Sequence, residues 1–232
     1  MTETNVPVYE EFMRNGCNMF IAARLGRTER QHASVYYKFM DPQPGSVIAD
    51  MGSGIGEHGA YFSSFDPTLV TINIVNDETL IEKMISLGRH CINTSYVNTK
   101  LPDESVDIVM FNESLGYEPL GDAFKEAFRI LRRNGEVVIK DFSITDPRLS
   151  AFSLDKWGYS VRKDYEIIKA AEQNGLSLLE LLHPIYYMQH WEELVSVNGH
   201  TKISNGQHST AELPLCVSLL KFKKGKLNGK SD

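Results

Sequence analysis

The chain has 232 residues, a formal net charge of -6 at pH 7 and three cysteines. That length supports one large α/β domain whose core needs no metal or disulfide staple. The acidic balance supplies no field for a phosphate backbone, which excludes nucleic acid as an expected partner.

Cys17, Cys91 and Cys216 are far apart and odd in number, outside the spacing of a disulfide framework or a zinc site, so no metal is expected and a reducing compartment fits. Met1-Thr2-Glu3-Thr4-Asn5 lacks the basic start of a signal peptide, and no apolar run reaches the length of a membrane span. The expectation is a soluble, cytoplasmic protein.

In chain order, the stretch up to about Met40 has no strand–helix rhythm and is expected as an N-terminal helical cap or lid, residues 1–40. From Ser46 onward, β-branched runs alternate with helix-like segments, the pattern of a parallel sheet covered by helices on both faces. Strands are predicted at Ser46 to Met51, Leu69 to Val75, Cys91 to Val97, Val106 to Phe111, Glu136 to Phe142, Leu176 to His183 and Leu215 to Phe222. A helix starts within Glu57 to Phe62. Others follow from apolar spacing of three and four over Asp77 to Leu87, Asp122 to Arg132 and Lys163 to Asn174, with Asn134-Gly135 and Asn174-Gly175 as helix stops. Pro147, Trp157 and Gly158 interrupt the span Ser143 to Tyr159, a second place for a lid. The segment 188–211 holds His190, Trp191, His200 and His208 among Gly and Ser, as a functional insertion or a surface loop would. The working domain is 41–224, followed by a solvated tail at 225–232.

The densest signal is Asp50-Met51-Gly52-Ser53-Gly54-Ile55-Gly56, between the first strand and the helix that follows. Glycines there allow close backbone approach, and the amides of the helix start suit a phosphate or an amino-acid carboxylate. Gly54-Ile55-Gly56-Glu57-His58-Gly59 also fits the dinucleotide pattern Gly-x-Gly-x-x-Gly, so a nicotinamide-dependent oxidoreductase stays open at this point. Asp50 favours a ligand with an ammonium group. Asn73, near the end of the second strand, offers a neutral acceptor to a ribose hydroxyl.

Together with Lys100-Leu101-Pro102-Asp103-Glu104-Ser105-Val106-Asp107-Ile108-Val109 and Ala127-Phe128-Arg129-Ile130-Leu131-Arg132-Arg133-Asn134-Gly135-Glu136, this loop resembles the class I S-adenosylmethionine-dependent methyltransferases over roughly 44–146. The resemblance implies a doubly wound, Rossmann-like α/β fold of seven strands with the last antiparallel, and S-adenosylmethionine as cofactor. It places Asp50, Gly52, Gly54 and Gly56 at the methionine and sugar portions, Asn73 facing the ribose and Val97 or Asn98 near the adenine, with Ser53, Ile74 and Asn112 also expected to bind the cofactor. The family usually carries an acid where this chain has Asn73, and often Asp where it has Val97. A protein that holds the cofactor without chemistry remains the third alternative.

Residues after the fourth strand should face the cofactor, because ligands of open parallel sheets sit beyond the strands' carboxyl ends. They read Asn112-Glu113-Ser114-Leu115-Gly116-Tyr117. No Asn/Asp-Pro-Pro-aromatic loop and no Pro-Cys nucleophile stands there, so the DNA-base methylating patterns are not met. The run resembles the loop of carbon methyltransferases acting on isoprenoid diphosphates and sterols, and Arg30-Gln31-His32 resembles a segment of the sterol group. The expected substrate is a small molecule, isoprenoid- or metabolite-like, and the methylated atom (C, O or N) stays open, as do a homo-oligomer and the involvement of Mg²⁺. Glu113 is the expected proton acceptor, Tyr117 a ring face for a developing cation, and His32 a further catalytic residue, against structural roles for each. Tyr186, Tyr187, His190 and Trp191 are expected to wall an apolar pocket or to be core.

Overall fold

The computed structural model describes residues 29–144, 152–154, 159–182 and 215–225. Most of the expected cap, residues 145–151 and 155–158 of the interrupted span, the segment 188–211 with the aromatic run before it, and the tail beyond 225 lie outside the described residues.

Short β-branched runs form the strands, and the central ones are buried along most of their length because helices cover both faces of the sheet. The strands are β1 (Val47–Met51), β2 (Val70–Val75), β3 (Cys91–Asn93), β4 (Val106–Asn112), β5 (Leu131–Ile144), β6 (Phe152–Leu154), β7 (Tyr159–Lys163), β8 (Leu176–Leu182) and β9 (Leu215–Lys224). The helices are α1 (Glu29–Met40), α2 (Glu57–Phe65), α3 (Glu78–Ser86), α4 (Leu120–Ile130) and α5 (Asp164–Gln173). The path through the sheet is β3-β2-β1-β4-β5-β7-β6, while β9 lies antiparallel to both β5 and β8. β1 pairs in parallel with β2 and β4, and β4 with β5, as the strand–helix alternation requires.

The doubly wound α/β expectation therefore holds, with the last strand antiparallel, but the described residues form nine strands where seven were foreseen. The two extra strands form the β6–β7 hairpin, which joins the end of β5 through Ser143↔Arg162 and Ile144↔Lys163. Tyr159 and Val161 supply its alternation, both buried, in a stretch too short to register as periodic. The third strand ends at Asn93, not Val97, because Thr94 Oγ1 donates to the Asn98 carbonyl and closes a turn. α4 stops at Ile130, not Arg132, and Asn134-Gly135 is no helix stop. Between the pairs Val106↔Leu131 and Ile108↔Glu136 four β5 residues face one of β4, and Asn134 turns through this bulge at φ 66°.

Each face of the sheet has its own core. Ile48, Ile108, Met110 and Val138 pack against Ala33, Tyr36 and Met40 of α1 and Phe62 of α2. Ala49, Met51, Val109, Phe111, Val137 and Ile139 pack on the other side against Phe124, Ala127 and Ile130 of α4 and Ile167 and Ala171 of α5. Each fully buried large side chain is worth roughly 1.5–3 kcal/mol. The Tyr36 hydroxyl donates to the carbonyls of Phe111 and Val138 at 3.0 and 2.8 Å, tying α1 to the β4–β5 seam just below the open edge of the sheet.

The motif residues of the span before β4 are fasteners. Glu126 Oε1 of α4 accepts from the Thr99 amide and hydroxyl, Arg129 ties Glu126 to Asp103, and Asp107 accepts from the Val47 amide that opens β1. They hold the connection to β4 rigid and put the ends of β1 and β4 side by side. Among the described residues no helix is long and apolar enough to cross a membrane.

Candidate active site

The ends of β1, β2, β4 and β5 form one edge, and the polar side chains of the sequence reading gather on it. Asp50 is 2% exposed on the face that carries Ile48, and its Oδ1 has no hydrogen-bond partner within the chain. Burial pushes its carboxyl up to about 8. An unpaired buried carboxylate of this kind is costly unless a cationic ligand meets it.

The glycine loop turns beside it. The Gly52 and Ser53 amides donate to the Ile74 carbonyl at 2.9 and 3.1 Å, so β2 carries the loop. Gly52 sits at φ 77°, where a Cβ would stand 2.7 Å from the Ser114 Cβ, and no side chain can replace its hydrogen. Gly54 turns at φ 57° and faces open space. Gly56, at φ 71°, caps α2, and a Cβ there would crowd Met84 and the Asn73 amide oxygen. Gly59 belongs to packing, since its missing Cβ makes room for Thr71 of β2.

Asn73 pairs with Asp50 in the β1–β2 register and is 9% exposed. Its Nδ2 donates to the His90 carbonyl at 2.8 Å, which leaves Oδ1, without a partner in the chain, turned toward the loop. The Ser53 hydroxyl is likewise buried without a partner. Ile74 enters only through its carbonyl, because its side chain lies in the core with Ala49 and Met51. Val97 is half-buried against the same core, and Asn98 is exposed, its carbonyl held by Thr94.

The loop after β4 supplies the reacting end. Asn112 is half-buried, with Oδ1 3.0 Å from Lys140 Nζ and Nδ2 3.4 Å from His58 Nδ1. Glu113 adopts φ 54°, its amide donates to the Lys140 carbonyl at 2.8 Å, and its Oε1 meets Lys140 Nζ at 2.8 Å. Both side chains of this pair are buried, 7% and 4% exposed. On the opposite face Asp141 accepts from the Leu115 and Phe142 amides and the Tyr159 hydroxyl. Desolvation raises its carboxyl to about 7, against the lowering effect of the Tyr159 hydroxyl and the two amides. Gly116 lies flush on Ser160 and Tyr159.

Tyr117 is half exposed and packs edge-on against Tyr159, with ring centroids 4.9 Å apart. His32 lies on α1, and its side chain is outside the described residues. Lys140, Asp141, His58, Tyr36 and Tyr159 were missed by sequence reasoning. One signal was present: two charged residues follow Val137-Val138-Ile139 directly, inside a strand flanked on both sides. Among the described residues no group of three His, Cys, Asp or Glu is placed to hold a metal ion.

Residues 49–139 match the family described as "Methyltransferase domain", a span from β1 to β5 that includes the glycine loop and the reacting loop. No curated protein matches the chain by sequence. Among solved structures, the chain is similar to a geranyl diphosphate methyltransferase in complex with SAM, at 19% identity and TM-score 0.72, over 96% of this chain and 93% of that one. It is also similar to geranyl diphosphate C-methyltransferase from Streptomyces coelicolor A3(2), at 17% identity and TM-score 0.70, over 84% and 76%. The [4+2]-cyclase SpnF aligns at 12% identity and TM-score 0.66, over 84% and 80%, so the shared architecture does not by itself name a reaction.

The residues present fit the cofactor of this fold. Asp50 Oδ1 and Asn73 Oδ1 are buried acceptors without a partner in the chain, as an ammonium and a ribose hydroxyl would require, and Gly54 opens to free space between Gly52 and Gly56, which are packed too closely for a Cβ. A dinucleotide fits less well, because it brings no ammonium for the Asp50 carboxyl to meet.

Proposed function

We propose that this chain, a class I S-adenosylmethionine-dependent methyltransferase, methylates a small apolar acceptor of isoprenoid or comparable metabolite type, with Glu113 taking the proton that the acceptor releases. The bound cofactor supplies an electrophilic methyl group on a sulfonium. The chain's own residues do the rest. Asp50 holds the ammonium, the loop 52–56 admits the methionine and sugar portions, and Asn73 Oδ1 accepts from a ribose hydroxyl. Val97 and Asn98 border the adenine.

In an in-line displacement, alignment and exclusion of water supply up to about 7–11 kcal/mol. The buried edge between α1, α2 and the reacting loop provides that alignment. Glu113, fixed at its left-handed position, presents a carboxylate where a proton leaves a methylated carbon, and the Tyr117 ring faces a developing cation. Two of the solved structures that share the fold are geranyl diphosphate methyltransferases, which makes prenyl diphosphates the first acceptors to test. The observation that carries the reading is the buried Asp50 carboxyl with an unpartnered oxygen beside the glycine cradle.

Incubation with methyl-labelled cofactor, a set of prenyl diphosphates with and without Mg²⁺, and a metabolite extract tests it. Label is expected in an acceptor that organic solvent extracts after phosphatase treatment. S-adenosylhomocysteine binding with no labelled product from any mixture would overturn the enzyme reading in favour of a cofactor-holding protein.

A further inference from the structure

β5 reaches the open edge of the sheet with Lys140 paired to Asn112 on one side and Leu219 on the other. Its side chain is 4% exposed, and removing an ammonium from water costs several kcal/mol. An apolar side chain at a site like this is often neutral or better for stability, so the charge needs a reason beyond holding the fold.

The geometry supplies one. An ammonium only donates, so Asn112 must turn its oxygen toward Nζ, which stands at 3.0 Å. The Asn112 amide nitrogen then faces His58 Nδ1 at 3.4 Å, an arrangement that favours Nδ1 as the acceptor and the imidazole proton on Nε2. The same ammonium holds Glu113 Oε1 at 2.8 Å, while the Lys140 carbonyl takes the Glu113 amide. One side chain thereby sets the Glu113 rotamer, the orientation of Asn112 and the tautomer of His58.

We propose that Lys140 is the positioning residue of the methyl-transfer site: it touches no reactant and acts by aiming Glu113 at the acceptor and by holding the Asn112 amide on His58. This rests on Glu113 as proton acceptor. A proton taken from the acceptor goes to the Glu113 carboxylate, whose Oε1 stays on Lys140, and no other bond changes at these residues.

The test uses the full chain with Lys140→Met and Lys140→Arg. Nitrogen-15 resonances of the His58 ring and the Asn112 side chain need neither cofactor nor acceptor. The Nε2–H tautomer is expected in the wild type and the Arg variant, and a mixture in the Met variant. With an acceptor in hand, kcat of the Met variant should fall roughly 100-fold at unchanged S-adenosylhomocysteine affinity, with partial recovery in the Arg variant. An unchanged tautomer in the Met variant overturns the proposal, and so does an Arg variant that behaves like it or a parallel loss of cofactor affinity. If the Met variant does not fold, Asn112→Ser cuts the same chain and must release the His58 tautomer. If the wild type methylates nothing, the proposed function fails and the His58 readout alone decides.

Discussion

Binding of the cofactor should release a proton from Asp50. Burial holds this carboxyl at about 8 in the free protein, while an ammonium partner requires it ionised. The ionised fraction is then roughly one in a hundred at pH 6 and one in eleven at pH 7, so affinity should rise roughly ninefold between them while the ligand keeps its ammonium. Isothermal calorimetry with S-adenosylhomocysteine, repeated at pH 7 in two buffers of different ionisation enthalpy, should show about 0.9 proton released per ligand bound. Asp50→Asn removes both the proton release and this pH dependence, and weakens binding by about 1.5–3 kcal/mol, the worth of a hydrogen bond to a charged group. Affinity that stays flat from pH 6 to 7 with no proton released would refute the reasoning, because it would mean that Asp50 never meets the ammonium.

The same carboxyl, together with Asp141 at about 7, makes the cofactor-free protein lose stability with rising pH. Both hold a proton to higher pH when folded than when unfolded, where Asp titrates near ~3.9, so their contribution is full below that value and gone once pH has passed 7 to 8. Scanning calorimetry should show the melting temperature falling from pH 5 to 8, less steeply in Asp141→Asn; a rise over that window would contradict the assignment. Gly52→Ala places a Cβ against Ser114 at φ 77° and should cost about 1–3 kcal/mol in urea unfolding as well as cofactor binding. Tyr36→Phe leaves the Phe111 and Val138 carbonyls short of a donor at the β4–β5 seam, an expected loss of about 1–3 kcal/mol in the same assay. Glu113→Gln should lower turnover far more than S-adenosylhomocysteine affinity, and equal losses would mark Glu113 as purely structural.

Local pattern made the glycine cradle readable. A strand, three positive-φ glycines and a helix start are contiguous, and their chemistry depends on nothing distant. The spans around Asp103 and Arg129 were readable as motifs, although the structure gives them a fastening role between β4 and α4. Strand number was not, because β6 and β7 are short and gain their pairing from the end of β5. The bulge after Leu131 was misread because Asn-Gly serves a helix stop and a β-bulge equally well.

By itself the sequence determined the strand–helix alternation from β1 to β5, the cradle, and the loop that carries Glu113, because periodicity and turn chemistry are encoded in neighbouring residues. Only the tertiary structure decided that Lys140 reaches Asn112 and Glu113, that Asn73 turns its oxygen inward because its nitrogen is taken by His90, and that Asp50 is buried with an oxygen to spare. Those facts join residues 17 to 28 positions apart or arise from packing by several elements at once, and no local pattern specifies which side chain a buried charge will find.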